Sequence, residues 1–350
     1  MKLIDHGNRV TVTDIDLYND EETQELGRVV AHECVVFVDT DQKVDEKRLH
    51  DLQLQWGDPS RSFIQNAVVD GRLAGRHWRD IYLYLGYIAK PVKDLSDTMS
   101  RVSFERTENN RPTGLFSTGK LIWHCDQQAM MQKQRIIGLM SLYGSKNTQT
   151  TFMRTSDVYE DLNHEDRSMV DEITTVWEWG GRVYDRDPKD PVELESSRLA
   201  SLPLDGIESP LVEYTATGRK GMRFPNYMFG HFKGMSKEDS LKFRDHLWSK
   251  MIDPKNNYVA TKDWEDGQLI FMEQNITLHA RPTDVKEGMK RTMVRNCTYV
   301  NKLFEGQDPI EYILMDGKKI PYDEFLDIID KKKLHDYNNK ENKADIWLKT

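Results

Sequence analysis

Residues 264–282 read WEDGQLIFMEQNITLHARP. Asp266-Gly267 is a tight-turn signal, a strand is expected over 267–273, and the segment ends on an apolar ramp at His279. A second ramp ends the same way upstream. Residues 121–131, LIWHCDQQAMM, run apolar side chains into His124, with Asp126 one residue further on. The triplet by itself says nothing. With ten His and 58 acidic residues in 350 positions, about 1.7 His-x-Asp/Glu triplets are expected by chance. Two occur, and the other, His164-Glu165-Asp166, falls in a helical stretch where i and i+2 diverge, so it is expected on the surface. His124 and Asp126, at i and i+2 of a strand end, point the same way. His279, 153 residues beyond Asp126, must then come from a facing strand, which a rolled-up β core supplies. Two imidazoles and one carboxylate on one face of a metal leave three adjacent positions open. That suits non-heme Fe(II) binding a chelating co-substrate and dioxygen together.

The rest of the chain supports a mixed architecture. The stretch 20–34, DEETQELGRVVAHEC, has acidic residues in its first turn and Leu26, Val29 and Val30 at helical spacing. VVFV (35–38) reads as a buried strand. Residues 45–58 read as a helix presenting Leu49, Leu52 and Trp56 and stopped by Gly57. Strand-and-turn grammar follows through RVSFERTENN, LFSTGKLIWH and RIIGLMSLYG. Helices are expected over 156–162 and 164–179, the latter with Met169, Ile173 and Val176 on one side, and over 236–253 with Ser236 as N-cap. Strand candidates resume at 210–224, 267–273 and 291–300. The expected fold is α/β with a mainly β core: one domain over 1–315, then a charged C-terminal extension over 316–350.

Composition excludes several classes. A net charge of −9 argues against a nucleic-acid partner. Three scattered Cys without CxxC spacing argue against a disulfide scaffold or a zinc-thiolate site. No stretch approaches 18 apolar residues and the N-terminus lacks an apolar leader, so no membrane association and a cytoplasmic setting are expected.

Two arginines extend the metal pattern. Arg291 and Arg295, in KRTMVRNCTYV, are four apart and share one face of a strand. An inward arginine near a metal needs an anion to justify its burial, and a dicarboxylate co-substrate offers one.

The set WHCD, WEDGQLIFMEQNITLHAR and RTMVR, in this order, resembles the taurine dioxygenase/2,4-dichlorophenoxyacetate dioxygenase (TauD/TfdA) group of Fe(II)/2-oxoglutarate-dependent oxygenases, from about Glu33 to about Val300. The resemblance implies a double-stranded β-helix, or jelly roll, with flanking and inserted helices. It implies that His124, Asp126 and His279 ligate Fe(II). Thr150 would help to hold 2-oxoglutarate and Arg291 would pair with its distal carboxylate. Arg295 would lie toward the co-substrate or an anionic substrate. The activity implied is O2-dependent hydroxylation of a C–H bond in a small molecule, with succinate as co-product. Family members often associate, so a homo-oligomer is a further implication.

Three segments depart from the family pattern: Glu273-Gln274-Asn275, Asn147-Thr148-Gln149 and Gln127-Gln128. All are expected at the pocket mouth, where they bear on substrate choice. Arg219, Lys220 and Arg223 lean toward an acidic or zwitterionic substrate. Asn226 and Phe229 are candidate substrate contacts, and Tyr82, Tyr84 and Tyr87 candidate entrance residues. Trp123 and Cys125 are expected to pack in the core. Two other readings use the same residues: a divalent-metal hydrolase, and a non-catalytic binding protein on the same fold.

Overall fold

The computed structural model describes residues 1–60, 99–105, 119–126, 133–178, 206–226, 228–284, 289–310 and 312–325, with 327, 328 and 331. Two sheets carry the architecture. The larger has the order Lys2–Asp5, Val10–Thr13, Val35–Val38, Leu269–Glu273, Arg135–Tyr143, Thr292–Tyr299, Ser100–Ser103. The smaller has the order Val259–Asp263, Gln149–Arg154, Thr277–Arg281, Leu121–His124. Apart from the parallel pairing of Val10–Thr13 with Val35–Val38, all their strand pairs are antiparallel.

The central strands of the larger sheet are covered on both faces, which is why VVFV and LIFM are continuously apolar. Ile137, Leu139, Ile270, Met272 and Met293 point inward to meet Phe152 and Ala260 of the smaller sheet. Ile136, Met140, Phe271 and Val294 point outward, against Leu26, Val30, Leu49, Leu52 and Trp56. Those partners come from the helices Asp20–Glu33 and Glu46–Leu54 and the turn that follows. The first is capped by Asn19, whose side chain accepts from the Glu21 and Glu22 amides. Behind the smaller sheet, Cys125, Met153 and Leu278 pack against the helices Thr155–Glu160, His164–Glu172 and Lys237–Met251 through Val158, Val170, Leu247 and Met251. Ser236 caps the last of these, accepting from the Asp239 amide. Trp123 packs into the same cluster, as expected of a core residue.

Three sequence expectations need correction. The helix expected over 164–179 ends at Glu172, and Thr174–Trp177 is a strand. Ile-Thr-Thr-Val is β-branched throughout, and pairing to Ile207–Pro210 and Phe229–Phe232 overrides the apolar spacing that had suggested one helix. Met169 is correspondingly exposed. Asp166 is buried rather than superficial: it accepts from Lys250 at 2.5 Å and from His246 at 3.2 Å, joining two helices. The N-terminal hairpin Lys2–Asp5/Val10–Thr13 was not anticipated, because its first strand is exposed throughout and carries no burial pattern.

Near the C-terminus, Tyr312–Met315 and Lys318–Pro321 form a hairpin across the boundary expected at 315/316. It joins Ile207–Pro210 in a five-stranded sheet, and Phe325 is buried with Trp177, Ile207 and Ile313.

Gly144 links this scaffold to the site. Its φ is +72°, and a Cβ there would lie 1.6 Å from the carbonyl oxygen of Lys290, next to Arg291. Gly144→Ala should destabilise the chain by more than about 1 kcal/mol in urea unfolding. The backbone of Lys290 and Arg291 would have to move to admit the added Cβ.

Candidate active site

The strand register builds the centre of the site. His279 is the cross-strand partner of His124, with ring centroids 4.2 Å apart. Between His279 and Arg281 the register slips by one residue against Leu121–His124, an irregularity of the kind that re-aims side chains beside functional sites. Asp126 follows two residues after the strand end. Its Oδ1 lies 3.7 Å from Nε2 of His124 and 3.9 Å from Nε2 of His279. One ligand atom from each of the three residues can be chosen so that all lie within 4.8 Å of one another.

The donor chemistry suits a divalent cation. His124 Nδ1 sits 2.7 Å from the carbonyl of Ile122. A carbonyl only accepts, so Nδ1 carries the proton and Nε2 presents its lone pair toward Asp126. Burial lowers the His124 pKa. Burial, with His124 adding repulsion, pushes that of His279 down to about 3. Burial works against ionisation of Asp126, but contacts led by the Arg295 guanidinium outweigh it and hold its carboxyl well below the usual range. The set is therefore two neutral nitrogens and one anionic oxygen.

These residues share a cavity with Thr150, Arg281, Arg291 and Arg295. Its apolar wall includes Ile137, Leu139, Met272 and Met293. Thr150 accepts from the indole N–H of Trp264 at 2.9 Å. Arg291 is 2% exposed. Its Nε donates to Thr148 Oγ1 at 3.1 Å, and its Nη1 has no hydrogen-bond partner among the described residues. Burial, with Arg281 adding repulsion, pulls its pKa down to about 9. A guanidinium stays charged there through neutral pH, so the depression measures a desolvated cation next to a second one. Both guanidiniums face the ring of Phe104, at 4.7 Å for Arg281 and 4.8 Å for Arg291.

Arg281 was missed by sequence reasoning. The signal was present: His279-Ala280-Arg281 has the same i, i+2 spacing as His124-Cys125-Asp126. Thr148 was missed as a brace for Arg291, because its role depends on the turn from Ser145, whose carbonyl accepts from Thr148 Oγ1 at 2.6 Å.

Other expected substrate residues lie elsewhere. Asn226 donates to the Trp123 carbonyl at 2.7 Å, and Phe229 packs on Phe232 at 4.9 Å; neither lines the cavity. The basic stretch is matched by acids: Arg219 to Asp157 at 2.7 Å, Lys220 to Asp171 at 3.1 Å and Arg223 to Glu213 at 3.1 Å. It gives no support to an acidic substrate. Glu273, Gln274 and Asn275 are buried rather than at a mouth, and the Gln274 amide donates to the Asp126 carbonyl at 2.6 Å. Thr148 is likewise buried. Gln127 and Gln128, and Tyr82, Tyr84 and Tyr87, lie outside the described residues.

A jelly roll of this kind is found in 2-oxoglutarate-dependent dioxygenases. A taurine dioxygenase from Burkholderia xenovorans superposes with a TM-score of 0.56 at 17% identity, over 92% of this chain and 95% of its own. AAD-2, solved with Mn(II) and N-oxalylglycine, superposes at 0.56 with 14% identity, over 85% of this chain and 97% of its own. No curated protein matches. The family model of the taurine catabolism dioxygenase TauD, TfdA family matches residues 4–298, and the chain belongs to that family. It is a 2-oxoglutarate-dependent dioxygenase. No helix among the described residues is long and apolar enough to cross a membrane.

Two predictions follow from the buried charges. Arg291→Met removes a desolvated cation, so the ligand-free protein should be no less stable to urea. Its affinity for N-oxalylglycine should fall by about 100-fold in calorimetric titration. Glu273 is the second case. Burial pushes its pKa from 4.5 up to about 7, against hydrogen bonds from the Asn275 and Ile276 amides. The folded chain therefore binds more protons than the unfolded chain between those values. This stability is fully present below pH 4.5 and is lost as pH rises through 7, by up to roughly 3 kcal/mol. Glu273→Gln should flatten that slope in unfolding measured across the range.

Proposed function

We propose that His124, Asp126 and His279 hold Fe(II), and that 2-oxoglutarate occupies the adjoining cavity with its distal carboxylate toward Arg291 and Arg281. With O2 the enzyme hydroxylates a C–H bond of a small molecule. One observation carries this reading. A two-His/one-carboxylate donor set and the buried guanidinium of Arg291 line the same cavity. Metal-assisted hydrolysis would account for the donor set but not for Arg291, and a binding-only module would need neither arrangement.

Enzymes of the family use Fe(II) and 2-oxoglutarate. Together they supply oxidising chemistry in which the co-substrate is decarboxylated to succinate and one oxygen atom reaches the substrate. This chain's residues prepare that chemistry. The Ile122 carbonyl fixes the His124 tautomer. Burial keeps both imidazoles unprotonated, and Arg295 helps to keep Asp126 ionised. Arg291, braced by Thr148, and Arg281 offer positive charge where water is largely excluded, so an anion gains more there than in bulk solvent. Ile137, Leu139 and Met272 keep the cavity apolar beside the donor set. Because Asp126 is a third protein ligand, no halide takes that position, and hydroxylation is favoured over halogenation.

The test is anaerobic. Fe(II) and 2-oxoglutarate added together should give a visible charge-transfer band in the wild type, and His279→Ala should lose it while retaining its circular dichroism. A wild type that binds Fe(II) but shows no band would sink the reading in favour of a hydrolytic metal site. Succinate release on screening small molecules would then identify the substrate.

A further inference from the structure

Asp126 lies in a turn, two residues past the end of Leu121–His124, so no sheet pairing holds its side chain. Among the described residues two contacts hold the residue instead, and both lead to the strand Thr292–Tyr299. Arg295 Nε donates to Oδ2 at 2.7 Å. Gln274 donates to the Asp126 main-chain carbonyl at 2.6 Å, and its own Oε1 accepts from the Cys297 thiol at 3.1 Å. The two carboxylate oxygens are thereby made unlike. Oδ1 faces the Nε2 atoms of both histidines, at 3.7 and 3.9 Å, while Oδ2 faces the guanidinium.

We infer that Arg295 is a positioning residue that keeps Asp126 a one-oxygen ligand, holding Oδ2 off the metal so that only Oδ1 coordinates. The inference rests on the metal reading proposed above. Its physical basis is that carboxylates bind divalent cations through one oxygen or two. With one oxygen, the three side chains fill three of six octahedral positions. The remaining three then suffice for a chelating co-substrate and dioxygen together. With two oxygens one of those places is lost. Arg295 is a cation beside a cation site, so its charge opposes the metal. Raising metal affinity is therefore not its role, and orientation is what its geometry provides. A charge-assisted N–H···O− bond is strong enough to hold one oxygen in place.

The experiment titrates Mn(II) into wild type, Arg295→Met and Arg295→Gln, and reads the waters on bound Mn(II) by water-proton relaxation. Three are expected for the wild type and two for Arg295→Met, a fall in relaxation enhancement of about a third. Arg295→Met should bind Mn(II) as tightly as wild type or tighter, yet bind N-oxalylglycine at least about tenfold more weakly. Arg295→Gln keeps an N–H donor for Oδ2 and should keep the third water; its loss there would overturn the hydrogen-bond account. An unchanged count in Arg295→Met overturns the inference and leaves the metal reading standing. A wild type that binds no Mn(II) or Fe(II) overturns the metal reading and this inference with it. Should Arg295→Met fail to fold, the wild-type Mn(II) complex decides alone: a crystal structure with both Asp126 oxygens bonded to the ion is the overturning result.

Discussion

The cross-strand pairing of His124 with His279 is the contact on which the rest of the site depends. It is a backbone register before it is a pair of side chains. Thr277–Arg281 hydrogen-bonds to Gln149–Arg154 on one side and to Leu121–His124 on the other. A slip of one residue would turn His279 out of the cavity and Leu278 into it. Leu278, Met153 and Cys125 prevent that slip, because they are buried together on the opposite face with the helices behind. The same apolar contacts that stabilise the fold therefore set the spacing of the donor atoms.

Charge is distributed in an unequal way around that centre. Most basic side chains near the smaller sheet are matched by acids, as with Arg154 to Asp157 and Arg219 to Asp157 and Glu160. Asp126 faces two imidazoles and Arg295, while Arg281 and Arg291 sit together over Phe104. Burial and the neighbouring Arg281 both work against the charge of Arg291.

Two of the segments that depart from the family pattern, Glu273-Gln274-Asn275 and Asn147-Thr148-Gln149, have structural roles. Gln274 braces the Asp126 backbone, Thr148 braces Arg291, and Asn275 accepts from Arg135 at 3.4 Å.

Sequence by itself indicated the helices expected over 20–34 and 236–253, found as Asp20–Glu33 and Lys237–Met251, and the strands expected over 35–38 and 267–273, found as Val35–Val38 and Leu269–Glu273; it also named His124, Asp126, His279 and Arg291, which the structure brings to one cavity. The helices and strands are local patterns, a cap or acidic first turn followed by helical spacing, or an apolar run, whereas the site residues were legible only as an ordered set of motifs resembling a family. Only the tertiary structure decided what spans long separations. Thr174–Trp177 became a strand because neighbouring strands offered pairing that no local spacing records. The basic residues 219–223 turned to Asp157, Asp171 and Glu213 because those acids lie within reach only after folding. Arg295 met Asp126, 169 positions away in the chain, because the two sheets face each other across one narrow core. Residue types are local, but the partner of a buried charge is set by the packing of distant segments.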